Sequence, residues 1–356
     1  MLQSADRVIL VTGGGGFIGN RFAEVIHLSR FARVRVGVRR WASAARAARF
    51  SIDIALCDVL DPRQIASAMQ GVDAVVHCAV GDERVIVDGT RNVLDAAARN
   101  RVSRVLHIST AEVYGSNVNG RVDETRPCTT TGSPYANAKT QAEQLVWQYS
   151  SRGLPVTIFR PSIVYGPWSD QWTAALAERL RSGRWRQYAR YGEGTCNLVY
   201  VDDLVAAALS SIRSDRAVGE AFNVGGADIV TWNEYFDRFN QAMGLPPLEV
   251  RSAQRTKAKS IAAGAVRTTA QLLLARHRER LRDLSERGGW VSEGMKGLKR
   301  WMNTTPSPSE LDDLYSRRAI YDWSKAQRLL DYRPAFDLDR GLRLSVDWLR
   351  YAGLLN

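Results

Sequence analysis

The stretch VILVTGGGGFIG, Val8 to Gly19, sets the frame for the whole chain. A run of strand-forming residues (Val8, Ile9, Leu10, Val11, Thr12) enters a glycine cluster, and a helix-like segment leaves it at Phe17. Gly13, Gly16 and Gly19 are evenly spaced, giving G-x-x-G-x-x-G. Glycine suits these positions because the chain turns sharply and a phosphate must come close to bare backbone. The turn delivers free N–H groups at a helix N-terminus, where the macrodipole also favours an anion. Strand, glycine turn and helix in this order predict a dinucleotide cradle contacted by Gly13, Gly16, Phe17, Ile18 and Gly19. Taken alone, the same pattern also describes a glycine-rich loop that holds nothing.

Outward from the turn, strand and helix signals alternate. Strand-like runs fall at Val8–Thr12, Val34–Val38, Ile52–Cys57, Ala74–Cys78, Val105–Ser109, Val156–Arg160 and Ala221–Val224. Helix-like runs fall at Phe17–Arg30, Pro62–Gln70, Gly89–Asn100 and about Ser133–Ser151. Alternation of this kind predicts an α/β fold, a doubly wound parallel sheet of Rossmann type with helices on both faces.

The end of the second strand bears on the cofactor. A carboxylate there would accept from the ribose hydroxyls of NAD; this chain has Arg39 and Arg40, which suit a 2′-phosphate and favour NADP, with NAD as the alternative. Asp58, followed by Val59, is placed either to accept from an adenine amino group or to start the next helix.

Two clusters carry candidate chemistry: Ser109, Thr110, Ala111, Glu112, Val113, Tyr114 after the fifth strand, and Tyr135-Ala-Asn-Ala-Lys139. Tyr135 and Lys139 are one helical turn apart and share a face. An ammonium beside a phenol is expected to lower the phenol's pKa, so that it can exchange a proton with a carbinol or ketone near neutral pH. Thr110 can hydrogen-bond the same oxygen while hydride passes to or from a nicotinamide. Taken alone, the spacing favours an exposed Tyr–Lys pair with no such duty.

The glycine turn, VVHCA ending at Ala79 and followed by Val80, STAEVYG, YANAK and FRPSIVYGPW occur in this order. Together they resemble the extended short-chain dehydrogenase/reductase family of NAD-dependent epimerase/dehydratase type, from about Val8 to Gly226 and again at YDWSKAQRLLDYRPAFDLDRGLRLSVDWL. The resemblance implies a Rossmann domain over about 1–165 and 199–226, and a smaller substrate domain over 166–198 and 227–356. It implies Tyr135 as acid/base, Lys139 on the nicotinamide ribose and Thr110 as hydroxyl partner, with Glu112 a further acid or base or a loop-orienting carboxylate. Ala79, Val80, Ser109, Pro161 and Ile163 would border the cofactor, and Glu112, Tyr165 and Asn197 the substrate. It further implies a small sugar-type substrate, nucleotide-linked or lipid-linked, and a homodimer through the helices at Gly89–Asn100 and Ser133–Ser151. A steroid-like or small-carbonyl reductase is the alternative enzyme. A non-catalytic NADP-binding regulator is the alternative of another class.

Departures from the family narrow this. Sugar 4,6-dehydratases read S-T-D-E-V-Y-G, and the aspartate position here is Ala111, which argues against dehydration. The loop from Ala79 to Gly89 is short, and Cys196 stands where nucleotide-sugar enzymes often place an arginine on the diphosphate.

The chain has 356 residues, 45% hydrophobic, four scattered cysteines without a C-x-x-C pair and four histidines without metal-ligand spacing. No metal site is expected. The early start of the first strand, the absence of a membrane-length apolar run and the cysteine pattern suggest a cytoplasmic protein. The net charge of +12 is uneven: residues 251–303 hold 13 Lys and Arg against 4 Asp and Glu, a net of 13 − 4 = +9. This insertion reads as a solvated helical hairpin, as an amphipathic element peripheral to an anionic membrane, or as a lid offering arginines to a phosphorylated substrate. Nucleic acid is disfavoured, because no recognition motif accompanies the charge. TPSPSELDD, Thr305 to Asp313, reads as the loop returning to the core.

Overall fold

Seven apolar runs form one sheet: β1 (Val8–Thr12), β2 (Arg33–Val38), β3 (Asp53–Leu56), β4 (Ala74–His77), β5 (Arg104–Ile108), β6 (Val156–Pro161) and β7 (Glu220–Val224). The structure, a computed structural model, describes residues 7–130, 132–262, 264, 305–308 and 310–355. Strand order is β7-β6-β5-β4-β1-β2-β3, and every pairing is parallel. The order reverses at β1, between β2 on one side and β4 on the other. Crevices for ligands open at the carboxyl ends of strands at such a point. Both faces of the sheet are covered, which is why β4 and β6 are buried at every position, including polar His77, Thr157 and Arg160.

The helices beside the sheet are α1 (Phe17–Leu28), α2 (Pro62–Ala68), α3 (Glu83–Arg99) and α4 (Pro134–Ser150). Leu10, Val75, Val105 and Ile158 of the sheet pack with Val93, Leu94 and Ala97 of α3 and Leu145 and Val146 of α4 in one buried cluster. Each of these Val, Leu and Ile side chains stabilises the fold by about 1.5–3 kcal/mol through burial. His77 ties three elements together inside this region. Its Nδ1 lies 2.7 Å from Thr12 Oγ1 and its Nε2 3.0 Å from Thr90 Oγ1. Thr90 spends its proton on the Ile86 carbonyl, so Nε2 donates to Thr90 and Nδ1 accepts from Thr12. Burial, with Lys139 nearby, pushes the ring down to about 3 and keeps it neutral.

Helix α3 begins well before Gly89, where the periodicity first shows. Asp82 accepts from Val85 N and Ile86 is buried, so the cap and one core contact extend the helix backward. The glycine at 89 lies within the helix because Val59 packs against it; a Cβ there would fall 2.6 Å from Val59 Cγ2.

The chain divides into two compact units, Met1–Ser169 with Asn197–Asp228 and Ile320–Gly341, and Asp170–Cys196 with Ile229–Ala319 and Leu342–Asn356. Ile320–Gly341, placed by the sequence boundaries in the second domain, therefore packs with the sheet: Lys325 pairs with Glu220 at 2.6 Å and the Tyr332 hydroxyl donates to the Gly225 carbonyl at 2.7 Å. The second unit is built on aromatic side chains. Trp185, Tyr188, Trp232, Phe236 and Tyr315 are all buried, with Trp185 and Tyr188 5.3 Å apart edge to face. In TPSPSELDD the structure departs from a plain loop. Ser307 Oγ accepts from Glu310 N while the Glu310 carboxylate accepts from Ser307 N, a reciprocal cap that starts a helical turn at Glu310–Tyr315. The greater part of the basic insertion, 263 and 265–303, lies outside the described residues. Among the described residues no helix is long and apolar enough to cross a membrane, and no cluster of His, Cys, Asp and Glu is grouped as a metal site.

Candidate active site

The glycine turn is shaped by contacts that allow no side chain. Gly13 has φ +67°, and a Cβ on it would sit 2.7 Å from the backbone of Ala79 beyond β4. A Cβ on Gly19 would overlap the Gly13 carbonyl. Gly16 N donates to Gly13 O at 2.9 Å and Gly14 N to Gly37 O at 3.0 Å, which locks the turn between β1 and β2. Helices α2, α3 and α4 are capped by the side chains of Asp61, Asp82 and Ser133. Helix α1, whose first turn carries Phe17 and Ile18, has Gly16 at its N-cap, no side-chain cap and no acidic residue in its first turn. Its open N–H groups and its dipole fit an anion such as a pyrophosphate.

Arg39 and Arg40 follow β2, are exposed, and have no side-chain partner among the described residues. Asp58 accepts from Leu60 N at 3.0 Å, and the helix after it is capped by Asp61 instead. One Asp58 oxygen is thus committed to a local turn. Val59 and Ala79 are buried, and Val80 is 61% exposed. Ser109 Oγ, past the end of β5, and Ser162 Oγ, between Pro161 and Ile163, are buried without a hydrogen-bond partner among the described residues. Orphaned hydroxyls of this kind call for a polar group from outside the chain, and the nicotinamide end of a dinucleotide has one.

Thr110, Glu112 and Tyr135 are brought together by two elements, the turn Ala111–Tyr114 and helix α4, and Lys139 lies one helical turn beyond Tyr135. Thr110 caps that turn: its Oγ1 accepts from Glu112 N at 3.2 Å. The hydroxyl proton therefore remains available, and the Thr110 hydroxyl lies near enough to the Tyr135 phenol to act on its ionisation. Lys139 is 4% exposed and donates to the Ile108 carbonyl at 2.7 Å.

The electrostatics correct one expectation. Lys139 was expected to lower the Tyr135 pKa; instead the phenol is pushed up to about 12, by burial of its hydroxyl end and the Glu112 carboxylate, against the lowering by Thr110. The first cause is dehydration, and the Lys139 ammonium is not among the groups that act on the phenol. Tyr135 as a whole is 40% exposed. Lys139 is itself pulled down to about 8 by burial, with Cys78 and Glu143 acting the other way. It is cationic below that pH and neutral above it. NADH affinity is therefore expected to fall by about fivefold as pH rises through 8, the difference of about 1 kcal/mol between a charged and a neutral hydrogen bond. Titration of NADH across this range tests it, and Lys139→Arg, which stays charged, should flatten the profile.

Tyr165 and Asn197 have structural duties in the first unit. Tyr165 is 3% exposed, its ring is 5.5 Å from Tyr200, and its hydroxyl lies where a Cβ on Gly341 would be. Asn197 Oδ1 accepts from Tyr321 N at 3.2 Å. Cys196 is fully buried in a strand pair with Val230. Arg160, in FRPSIVYGPW, has no role that the sequence pattern assigns, yet it joins both elements of the site. Its Nη1 donates to the Tyr114 hydroxyl at 2.9 Å and its Nη2 to Glu143 Oε2 at 2.6 Å. The signal available in the sequence was an arginine inside a strand otherwise apolar.

The sheet order, the glycine turn and the Thr-Tyr-Lys set define a Rossmann dinucleotide-dependent enzyme. The chain belongs to the NAD dependent epimerase/dehydratase family, whose model matches residues 9–225. It is 31% identical over 247 residues to sterol demethylase protein B of Methylococcus capsulatus, covering 63% of this chain and 73% of that protein. It is 30% identical over 269 residues to a dTDP-glucose 4,6-dehydratase of an Actinoplanes species, covering 67% of this chain and 82% of that one. UDP-glucuronic acid 4-epimerase of Bacillus cereus, solved with UDP-glucuronic acid and NAD, superposes with a TM-score of 0.71 at 19% identity, covering 97% of this chain and 99% of that one. The protein is thus an enzyme of short-chain dehydrogenase/reductase type that uses a nicotinamide dinucleotide for hydride transfer at a secondary alcohol or ketone.

Proposed function

We propose that this enzyme oxidises or reduces a ring carbon of a nucleotide-linked or lipid-linked sugar, in a net or a transient redox step, with NADP as cofactor. The approach of the Thr110 hydroxyl to the Tyr135 phenol, from two separate elements, carries the reading. It presents two hydroxyls to one substrate oxygen, which a protein that only bound the cofactor would not need. Tyr135 gives or takes the proton at that oxygen, and Thr110 donates to it. Lys139, cationic below about pH 8, holds the nicotinamide ribose and stabilises negative charge on the phenol. The dinucleotide supplies or accepts the hydride. Glu112 is a second carboxylate at this place. With Ala111 where the sugar 4,6-dehydratases carry aspartate, epimerisation or keto reduction is favoured over loss of water.

Support for a sugar comes from relatives named as a dTDP-glucose dehydratase and a UDP-glucuronic acid epimerase. Support for NADP comes from Arg39 and Arg40, exposed and unpaired at the end of β2. A second reading, reduction of a steroid-like ketone, is favoured by the sterol demethylase protein B relative and by the buried Cys196.

A panel of dTDP-glucose, UDP-glucuronic acid and a 3-ketosteroid, each with NADPH absorbance and product analysis, tests the assignment. Sugar conversion without absorbance change identifies an epimerase, and steady NADPH consumption on the steroid alone overturns the sugar reading. For the cofactor, NADPH is expected to bind more tightly than NADH. Arg39→Ala should reduce that preference by about tenfold, the value of one charged hydrogen bond of about 1.5 kcal/mol. Equal affinities in the unaltered enzyme would remove the assignment.

A further inference from the structure

Two elements carry the proton-transfer group, and one side chain grips both. Arg160 on β6 is buried, at 5% exposure. Its Nε donates to both oxygens of Glu143, at 3.0 and 3.2 Å, and its Nη2 donates to Oε2 at 2.6 Å. Glu143 lies on α4, one turn beyond Lys139, and is 2% exposed. The remaining fork of the guanidinium, Nη1, donates to the hydroxyl of Tyr114 at 2.9 Å, in the turn that starts from Thr110. Tyr114 passes its own proton to Asn223 Oδ1 at 2.8 Å, and Asn223 Nδ2 donates to the carbonyls of Val122 and Asp322. The carboxylate, the guanidinium and the phenol are thus satisfied by one another, away from solvent. A buried pair of this kind is poor evidence for stability, since the desolvation of both ions offsets their attraction. Its geometric content is larger. The planar guanidinium fixes distances in two directions at once, toward α4 and toward the Thr110 turn.

We propose that Arg160 is a positioning residue that locks α4 to the Ala111–Tyr114 turn, so that Lys139 and Tyr135 meet Thr110 and the cofactor in one fixed arrangement. The proposal rests on the assignment of Tyr135 and Lys139 to the nicotinamide site. Arg160 touches none of the reacting groups and acts through the two elements it joins. A displacement of α4 of the order of an ångström is enough to spoil such a site. The groups around Lys139 that share its burial are His77 on β4, Cys78 after it, His107 on β5 and Glu143 on its own helix. None of these bonds to Tyr114, so changing that hydroxyl leaves them in place.

The test uses a double-mutant cycle read by NADH binding, measured by nucleotide fluorescence with the full-length enzyme. Tyr114→Phe deletes one hydroxyl and keeps the ring and the Arg160–Glu143 pair. It is expected to weaken NADH by about three- to tenfold, within the usual range for coupled neighbours. In a Lys139→Met background the same change should have no further effect, because the lock acts through Lys139. Arg160→Lys, which keeps the charge but loses the planar fork, should show the same non-additivity. A purely structural role gives equal weakening with and without Lys139, alongside a lower melting temperature, and overturns the proposal. So does an unchanged NADH affinity in both Tyr114→Phe and Arg160→Lys. If Lys139→Met alone leaves NADH affinity intact, the nicotinamide-site assignment fails first, and the proposal falls with it by a separate observation.

Discussion

Tyr135→Phe is expected to lower turnover by about 10²- to 10⁴-fold, the range for loss of a general acid/base, with NADPH affinity nearly unchanged. The substitution removes one oxygen and little else. Helix α4 starts before it on the Ser133 cap, with Pro134 at the first helical position, so the helix does not depend on the phenol. Tyr135 is already 40% exposed, and phenylalanine occupies the same space. What is lost is the proton carrier beside Thr110. In the free enzyme this phenol ionises only near 12, so below that pH it is a proton donor, ready for reduction of a ketone. In the oxidising direction it must release that proton, and the cationic Lys139 together with the positive charge of an oxidised nicotinamide favours the release. The oxidative rate should therefore rise with pH until Lys139 loses its charge near 8. Steady-state rates in both directions, with NADPH binding measured in parallel, decide the matter. Turnover retained in Tyr135→Phe removes the residue from its role.

Gly19→Ala should abolish dinucleotide binding, by about 100-fold or more, through a shift of the turn by roughly an ångström. At an ordinary helical position this exchange would stabilise the protein by about 1 kcal/mol, because alanine has the higher helix propensity. Here the sign reverses. The added methyl would overlap the Gly13 carbonyl and come within 2.9 Å of Gly13 C and 3.1 Å of Gly14 Cα, all backbone atoms. None of these can rotate away. Either α1 moves off the turn or Gly13 leaves its position against Ala79, and each movement takes the helix N-terminus from the phosphate. Overpacking of this kind costs about 1–3 kcal/mol. Calorimetric titration of NADPH and a thermal melt on the same sample should show both losses. Normal affinity would mean that the turn is not the pyrophosphate cradle.

Much of this was legible before any coordinates. The glycine spacing, the alternation of strand and helix, and the Thr110, Tyr135 and Lys139 set are local patterns, each fixed by backbone sterics or helical periodicity. Boundaries were harder. The start of α3 was placed at Gly89 because the helix from Glu83 depends on the Asp82 cap and on the burial of Ile86, and the second of these is a contact distant in sequence. The Ser307–Glu310 reciprocal cap hid inside what reads as a proline-rich loop. Ile320–Gly341 was separated from the sheet for a similar reason: its bonds to Glu220 and Gly225 join residues about a hundred positions apart.

The opening stretch, Val8 to Gly19, already specified a turn without side chains and a helix with an open N-terminus, because glycine spacing and strand propensity act over a few residues. Folding added what depends on groups far apart in the chain. Ala79 closes on Gly13 and gives that glycine its steric reason. Burial reverses the expected pKa of Tyr135, since the cost of dehydration is set by the surroundings and not by the residue one helical turn away. Arg160 acquires its place only when β6, α4 and the Thr110 turn meet. Spacing could name the reacting groups. Their protonation, and what holds them in register, came from dehydration and from bonds across the fold.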